Sequence, residues 1–373
     1  MPLPSPRPNI ERVVPYKPGK PVEEVVRELK LRCSIIKLAS NENPLGPSPR
    51  AIAALRKELP RLHYYPEDTC YYLRQRLSEL FKVDYDSIII GNGSVDLIYL
   101  ACLAYLDPGD EMLLSAGSFI SARIAGTIMN ANVIQIPTRD YRHDLERILN
   151  SITPKTKLIY LDNPMNPLGT IVTKKEFSEF IAQVPESVLV ILDEAYAEYI
   201  TSRDYPRGLD YYNQNYNILV LRTFSKIYGL AGLRIGYGFA KPEIIQNLRK
   251  VRLPFNANRA AQVAALAALG DHRHIQRSRK INEAGKQHFY KELKKLNLFY
   301  LESYGNFVFI NFTIDSRQIA DILQRKGVIT RTVKEYGYPN ALRVTIGKQQ
   351  ENRRFFQALK ETLQFLGIKP SGE

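Results

Sequence analysis

Cysteine and histidine are scarce in this chain of 373 residues, which has 3 of the first and 5 of the second. Cys33, Cys70 and Cys102 are odd in number and widely spaced, a pattern that suits neither a disulfide framework nor a metal site and fits a reducing, cytoplasmic compartment. The histidines are scattered; His63 lies near Tyr65 but reads as a surface residue. No apolar run approaches the roughly 20 residues needed to span a bilayer. The N-terminus, with Pro2, Pro4, Pro6, Pro8, Pro15, Pro18 and Pro21, lacks the apolar core of a secretory signal and predicts an extended arm. There is no internal repeat. A formal charge of +14 raises nucleic acid as a partner, yet no recognisable nucleic-acid motif accompanies it. Clusters such as Arg249-Lys250-Val251-Arg252 and Lys294-Lys295 read as solvated helix faces.

What is present is an alternation of short apolar runs and polar turns. With 45% hydrophobic and 24% charged residues the chain can bury a large core. The run Ile218-Leu219-Val220-Leu221 leads into Arg222-Thr223-Phe224-Ser225-Lys226, followed by a glycine-rich turn and Arg234. An amine at the end of a buried strand, beside a hydroxyl and a second cation, suits an aldehyde cofactor that also bears a phosphate, such as pyridoxal 5'-phosphate (PLP). Taken alone, the same segment is equally compatible with two surface cations in a loop.

Two further strands deliver polar groups at their carboxyl ends, where open α/β sheets place ligands. Leu158-Ile159-Tyr160-Leu161 runs into Asp162-Asn163-Pro164-Met165-Asn166-Pro167-Leu168-Gly169, and Val188-Leu189-Val190-Ile191-Leu192 into Asp193-Glu194-Ala195-Tyr196. An acid leaving a fully apolar strand needs a cationic partner. For Asp193 that partner is a protonated pyridine nitrogen, or else Asp193 is a helix N-cap supported by Glu194. Upstream, Ser87-Ile88-Ile89-Ile90 breaks into Gly91-Asn92-Gly93-Ser94 and then the helical Val95–Ala101, a strand, small-residue turn and helix start that form an anion site.

In this order and spacing the motifs resemble those of the fold-type I, PLP-dependent aminotransferases, and among them the histidinol-phosphate aminotransferase family. Leu38-Ala39-Ser40-Asn41-Glu42-Asn43-Pro44 is similar to that family's N-terminal signature, and Tyr64-Tyr65-Pro66-Glu67 to its tyrosine-proline-acid motif. Asn306-Phe307-Val308 and Leu342-Arg343-Val344-Thr345-Ile346-Gly347 match later segments. The resemblance implies that Lys226 forms a Schiff base with PLP and then shuttles a proton, while Asp193 pairs with the pyridine nitrogen. It implies that Asn166 and Tyr196 hydrogen-bond the phenolic oxygen and that Phe119 stacks on the ring. Ser94, Val95, Ser225 and Arg234 would hold the phosphate, with Tyr65 reaching across from a second subunit of a homodimer. Arg343 would bind the anionic end of the substrate, assisted by Tyr16 and by Arg331, although Arg331-Thr332-Val333-Lys334 also reads as an exposed turn.

The implied reaction is a ping-pong transamination of L-histidinol phosphate with 2-oxoglutarate. An aromatic amino-acid aminotransferase and a threonine-phosphate decarboxylase share the scaffold and stay open. So does a non-catalytic PLP-binding protein, against which the intact Lys226, Asp193, Tyr196 and Arg234 argue. Some residues depart from the family pattern. Val95 replaces an acid, Met165 and Leu168 stand where polar residues are usual, and Ala122 replaces a tyrosine, leaving space or a different contact beside the ring.

The expected architecture is α/β: a large domain with a mostly parallel sheet flanked by helices, and a smaller α+β domain. Residues 1–40 would form the arm and part of the small domain, 41–260 the PLP-binding domain, and 261–373 the small domain. Within the last, the alanine-rich stretch 260–269 predicts a helix closed by Gly270. A long charged helix should follow, then a strand near 306–312, a helix near 318–324 and a strand at 342–346 before a C-terminal helix.

Overall fold

The computed structural model of the chain describes residues 4–16, 19–29 and 34–368; Pro2, Pro18 and Cys33 fall outside them. Its strands are β1 (Ile36–Lys37), β2 (Ile88–Gly91), β3 (Glu111–Ser115), β4 (Asn132–Ile136), β5 (Thr156–Asp162), β6 (Leu189–Asp193) and β7 (Ile218–Thr223). They continue with β8 (Gly236–Phe239), β9 (Phe299–Leu301), β10 (Phe307–Asn311), β11 (Val328–Ile329), β12 (Arg331–Val333) and β13 (Tyr338–Thr345). Seven of them form a sheet in the order β2-β8-β7-β6-β5-β3-β4, in which β8 alone runs against the others.

The central strands are apolar throughout because both faces are covered. Ile159, Leu161, Val190, Leu192, Ile218 and Val220 point into one core, and their alternates Leu158, Tyr160, Leu189, Ile191, Leu219 and Leu221 into a second on the opposite face. With a side-chain period of two, residues 162 and 193 fall on the second face, in register with each other at the strand ends. This is how an apolar pattern aims two acids at one point.

A four-stranded antiparallel sheet, β12-β13-β10-β9, packs against helices His272–Lys295, Ser316–Arg325 and Gln349–Phe365 around a third core that includes Phe289, Val308, Leu342 and Phe355. The predicted helices and strands of the last third all occur, with the strand at 342–346 beginning earlier, at Tyr338. Ile36–Lys37 pairs in parallel with Val328–Ile329, so the N-terminal segment joins this half of the molecule. Helix Arg259–Leu269 packs into the large sheet's core through Ala261, Ala264, Ala265 and Ala268.

The arm is not extended throughout. Pro8–Glu11 is a helical turn with Pro8 in its first turn, where the missing N–H costs nothing, and Val22–Leu29 is a helix whose Val25 is buried against Ala39 and Ile329. Proline counting overlooks such apolar spacing between the prolines. Asn9 anchors the arm by donating to the carbonyls of Thr127 and Ile128 at 3.1 and 2.8 Å.

Candidate active site

A cavity of about 370 Å³ opens at the carboxyl ends of β5, β6 and β7. Lys226 enters it three residues past the end of β7, and its Nζ donates to the Ser40 carbonyl at 3.3 Å. Burial, reinforced by the positive charge of Arg343, lowers the amine to about 8, so that about a tenth of it is neutral at pH 7 and half at pH 8. Asp193 lies opposite on β6, accepting from the Tyr160 hydroxyl at 2.9 Å and from the Ala195 N–H at 3.1 Å. Burial first, and then the neighbouring Asp162 carboxylate, pushes it up to about 7. A carboxylate this reluctant to ionise needs a cation in front of it.

The N-cap alternative for Asp193 does not hold, because the chain turns after β6 and forms only the 3-10 turn Ala197–Tyr199. Glu194 points the other way, into a buried ion pair with Arg222 at 2.8 Å, and accepts from the Gly208 N–H. The surface-cation alternative for Lys226 fails, because its half-buried side chain lines the cavity.

At one end of the cavity stands the predicted anion site. Helix Ser94–Tyr105 starts beneath Gly93, whose φ of +88° belongs to the left-handed side that glycine tolerates. A Cβ at 93 would press on the mobile tip of the Arg234 side chain, whereas one at Gly236 would collide with the fixed Ser94 backbone nitrogen. Arg234 Nη1 reaches Ser225 Oγ at 3.3 Å. Helix N–H groups, a hydroxyl and a guanidinium therefore converge where bulk is forbidden, as a phosphate requires. Val95 lines this end and leaves the backbone donors intact, so its departure from the family pattern removes none of them.

Tyr196, Phe119 and Asn166 line the remaining walls. The Tyr196 hydroxyl accepts from Asn41 Nδ2 at 2.8 Å, and burial raises its proton affinity to about 12. Asn166 Oδ1 accepts from Arg343 Nη1 at 2.6 Å, which leaves its NH2 donors for the cavity. Arg343 also donates to the Ala39 carbonyl at 2.5 Å, and its Nε is buried without a partner. It stands behind Asn166, bordering the cavity through it.

Arg331 and Arg343 face each other across β12 and β13, in register. Arg331 is not the exposed turn its sequence permits: it is buried in a strand, ion-paired with Glu335 and covered by the Tyr16 ring, whose centroid lies 5.7 Å from the guanidinium. Tyr16, from the arm, lines the cavity itself. Tyr65 does not. It is 79% exposed and stacks on Phe255, with ring centroids 4.8 Å apart. His63 is a surface residue beside the Pro60 carbonyl.

The departures from the family pattern have structural counterparts. Met165 and Leu168 are fully buried in an apolar cluster with Phe309, Val333 and Ala341, so the asparagine turn docks on the antiparallel sheet through them. Ala122 packs into the large core away from the cavity, and Ser121 lines the cavity in its stead. Ala122 itself therefore contributes neither space nor a contact to the cavity. Sequence reasoning gave no role to Asp162, Ser40 or Asn41. Asp162 was findable, since it ends an apolar strand just as Asp193 does. Among the described residues no group of three or more His, Cys, Asp or Glu could hold a metal ion, and no helix is long and apolar enough to cross a membrane.

The family described as aminotransferase class I and II matches residues 34–359. Histidinol-phosphate aminotransferase of Moorella thermoacetica is 47% identical over 362 residues, covering 97% of this chain and 94% of the relative. Its counterpart in Caldicellulosiruptor saccharolyticus is 42% identical, covering 95% and 99%. The crystal structure of histidinol-phosphate aminotransferase from Sinorhizobium meliloti in complex with pyridoxal-5'-phosphate superposes with a TM-score of 0.88 at 27% identity, covering 96% of this chain and 97% of that one. A single mutant of Thermus thermophilus aspartate aminotransferase shares the fold, with a TM-score of 0.85 at 19% identity over 97% and 100% of the two chains.

Proposed function

The chain belongs to the histidinol-phosphate aminotransferase family of the class I and II aminotransferases, and from that membership we propose that it transfers the amino group of L-histidinol phosphate to 2-oxoglutarate in histidine biosynthesis. The observation that carries the PLP half of this reading is the convergence of Lys226, Asp193 and the Gly93–Ser94–Ser225–Arg234 cradle on one cavity. The residues fit the group: the cradle excludes side-chain bulk where a phosphate sits, and the buried Asp193 lacks the cation that a protonated pyridine supplies.

When bound, PLP supplies an aldehyde that condenses with amines and a ring that takes up electron density from the substrate Cα. The chain's residues do the rest. Lys226, as a neutral amine, holds the cofactor and, once displaced by the incoming amino group, moves a proton from the substrate carbon. Asp193 keeps the pyridine nitrogen protonated. Asn166 and Tyr196 donate to the phenolic oxygen, Phe119 covers the ring, and Ser94, Val95, Ser225 and Arg234 hold the phosphate. Arg343 receives the carboxylate of glutamate or 2-oxoglutarate in a bidentate fork. Arg331 and Tyr16 receive the phosphate of histidinol phosphate.

In this reading residues 1–40 are the arm and part of a small domain, 41–260 the PLP-binding domain and 261–373 the remainder of the small domain, with helix Arg259–Leu269 packed on the large core at their junction. The enzyme acts in the cytoplasm as a homodimer. Tyr65 and its exposed apolar neighbours Leu59, Leu62, Tyr64 and Leu253 form the face that a second copy covers, delivering Tyr65 to the neighbouring phosphate. The test is turnover with 2-oxoglutarate as acceptor. Histidinol phosphate should be the preferred donor by kcat/KM over phenylalanine; the reverse preference would move the enzyme to the aromatic class, and release of carbon dioxide from threonine phosphate to the decarboxylases.

A further inference from the structure

Asp162 ends β5 beside Asp193, in register on the adjacent parallel strand, so the two carboxylates leave the same face of the sheet. Its side chain is buried and lines the cavity. Its Oδ2 accepts from two backbone N–H groups on separate loops, that of Phe119 at 3.1 Å and that of Asn166 at 2.8 Å. Its Oδ1 stands 3.8 Å from His143 Nε2, and the Ser118 hydroxyl lies beside the carboxylate. His143 is held between Ser115 Oγ at 2.7 Å and the Asp162 carbonyl at 2.9 Å, and burial lowers it to about 4, so it offers no positive charge. Burying one carboxylate next to another without a cation is costly, and a single turn would not need it. The two loops that Asp162 joins carry the residues read above as covering the PLP ring and donating to its phenolic oxygen.

We propose that Asp162 is a positioning residue for the cofactor: by accepting the N–H groups of both Phe119 and Asn166 it sets the ring-covering face and the phenolic-oxygen donor at a fixed relation to each other and to Asp193. The proposal rests on the reading of Lys226 and Asp193 as PLP-binding residues. Asp162 itself transfers no proton. Without it the loop after β3 and the turn after β5 lose their shared acceptor, while the strand ends that carry Lys226 and Asp193 remain.

The experiment uses the full chain and compares wild type with Asp162→Asn, which keeps an oxygen for both N–H groups, and Asp162→Ala, which keeps none. PLP affinity, the pH midpoint of the visible band of the loaded protein and the circular dichroism of that band are measured. Asp162→Ala should weaken PLP binding about tenfold, because the two loops lose the shared acceptor that fixes them before PLP arrives and must be ordered on binding. It should also raise the band midpoint by about one pH unit as the Asn166 donor leaves the phenolic oxygen, and alter the band's dichroism as the ring tilts. Asp162→Asn should stay within about threefold of wild type in affinity, because its oxygen still serves both donors. If Asp162→Ala does not fold, Asp162→Thr, which is similar in volume but cannot reach both N–H groups, should give the same three changes. A variant that loses thermal stability but keeps wild-type affinity, midpoint and dichroism would overturn the proposal, as would an Asp162→Asn protein as impaired as Asp162→Ala. A wild-type protein that forms no visible band with PLP would instead overturn the underlying reading, and the proposal with it.

Discussion

On one side of the cavity Asp162, Asp193 and the Ser225-Lys226 pair stand at the ends of three hydrogen-bonded neighbours in a single sheet. The groups assigned to substrate come from elsewhere: Tyr16 from the arm, Arg331 and Arg343 from two strands of the other sheet. The first set is fixed by strand register and by two cores that hold the apolar residues of those strands. The second is held by contacts between separate parts of the chain, such as Asn9 on the carbonyls of Thr127 and Ile128, and Arg343 on Asn166. Cofactor chemistry needs fixed geometry, whereas two different substrates in turn need a side that can adapt.

The largest effect should come from the fixed side. Lys226→Ala removes the proton-moving amine, and kcat should fall by at least about 10²–10⁴-fold, measured with saturating PLP. Asp193→Asn should separate function from stability. The cofactor-free carboxyl lies near 7, above its ordinary 3.8, so the stability of its protonated form is full below about 4 and lost as pH rises through 7. An amide escapes that loss. Cofactor-free Asp193→Asn should therefore be more stable than cofactor-free wild type at pH 8, by on the order of 4 kcal/mol in denaturant unfolding, and no more stable at pH 4. It should also bind PLP more weakly, by roughly 10–100-fold, as a charged partner is lost.

On the adaptable side, Arg343→Ala should raise KM for 2-oxoglutarate by about 10–100-fold, since a bidentate pair is lost. It should also leave a signature on the fixed side. Arg343 is the second cause, after burial, of the low proton affinity of Lys226, so removing it raises the amine above about 8 and moves the pH dependence of PLP loading to higher pH. An unchanged pH profile would show the two sides to be electrostatically separate. The smallest effect is expected at Glu335, which neutralises Arg331 in the ligand-free chain. Glu335→Gln should lower KM for histidinol phosphate by about threefold, in line with a partly exposed ion pair, and leave KM for 2-oxoglutarate unchanged.

The same contrast governs what the sequence made legible. Strand ends announce themselves, because an apolar run followed by Asp193 or by Ser225-Lys226 is a local pattern. Arg331 was ambiguous for the opposite reason: its neighbours Thr332 and Lys334 are polar, and its burial depends on the opposing strand, Tyr16 and Glu335. Met165 and Leu168 looked anomalous in the turn because the apolar surface they meet, Phe309 and Ala341, lies more than a hundred residues away. Asp162 is less legible than Asp193 because it opens a turn that is a strong local signal of its own, while one of the N–H groups it accepts, that of Phe119, lies 43 residues away. The helices of the arm were hidden by its prolines, one of which, Pro8, opens a helix instead of preventing it.

The most direct test of the central claim, that the sheet presents Lys226 as the cofactor-bearing amine, is borohydride reduction of the PLP-loaded protein followed by mass mapping of its peptides. The predicted result is a pyridoxyl label on the peptide containing Lys226 and none in Lys226→Ala. Label on another lysine of the wild-type protein, or undiminished labelling of the variant, would contradict it.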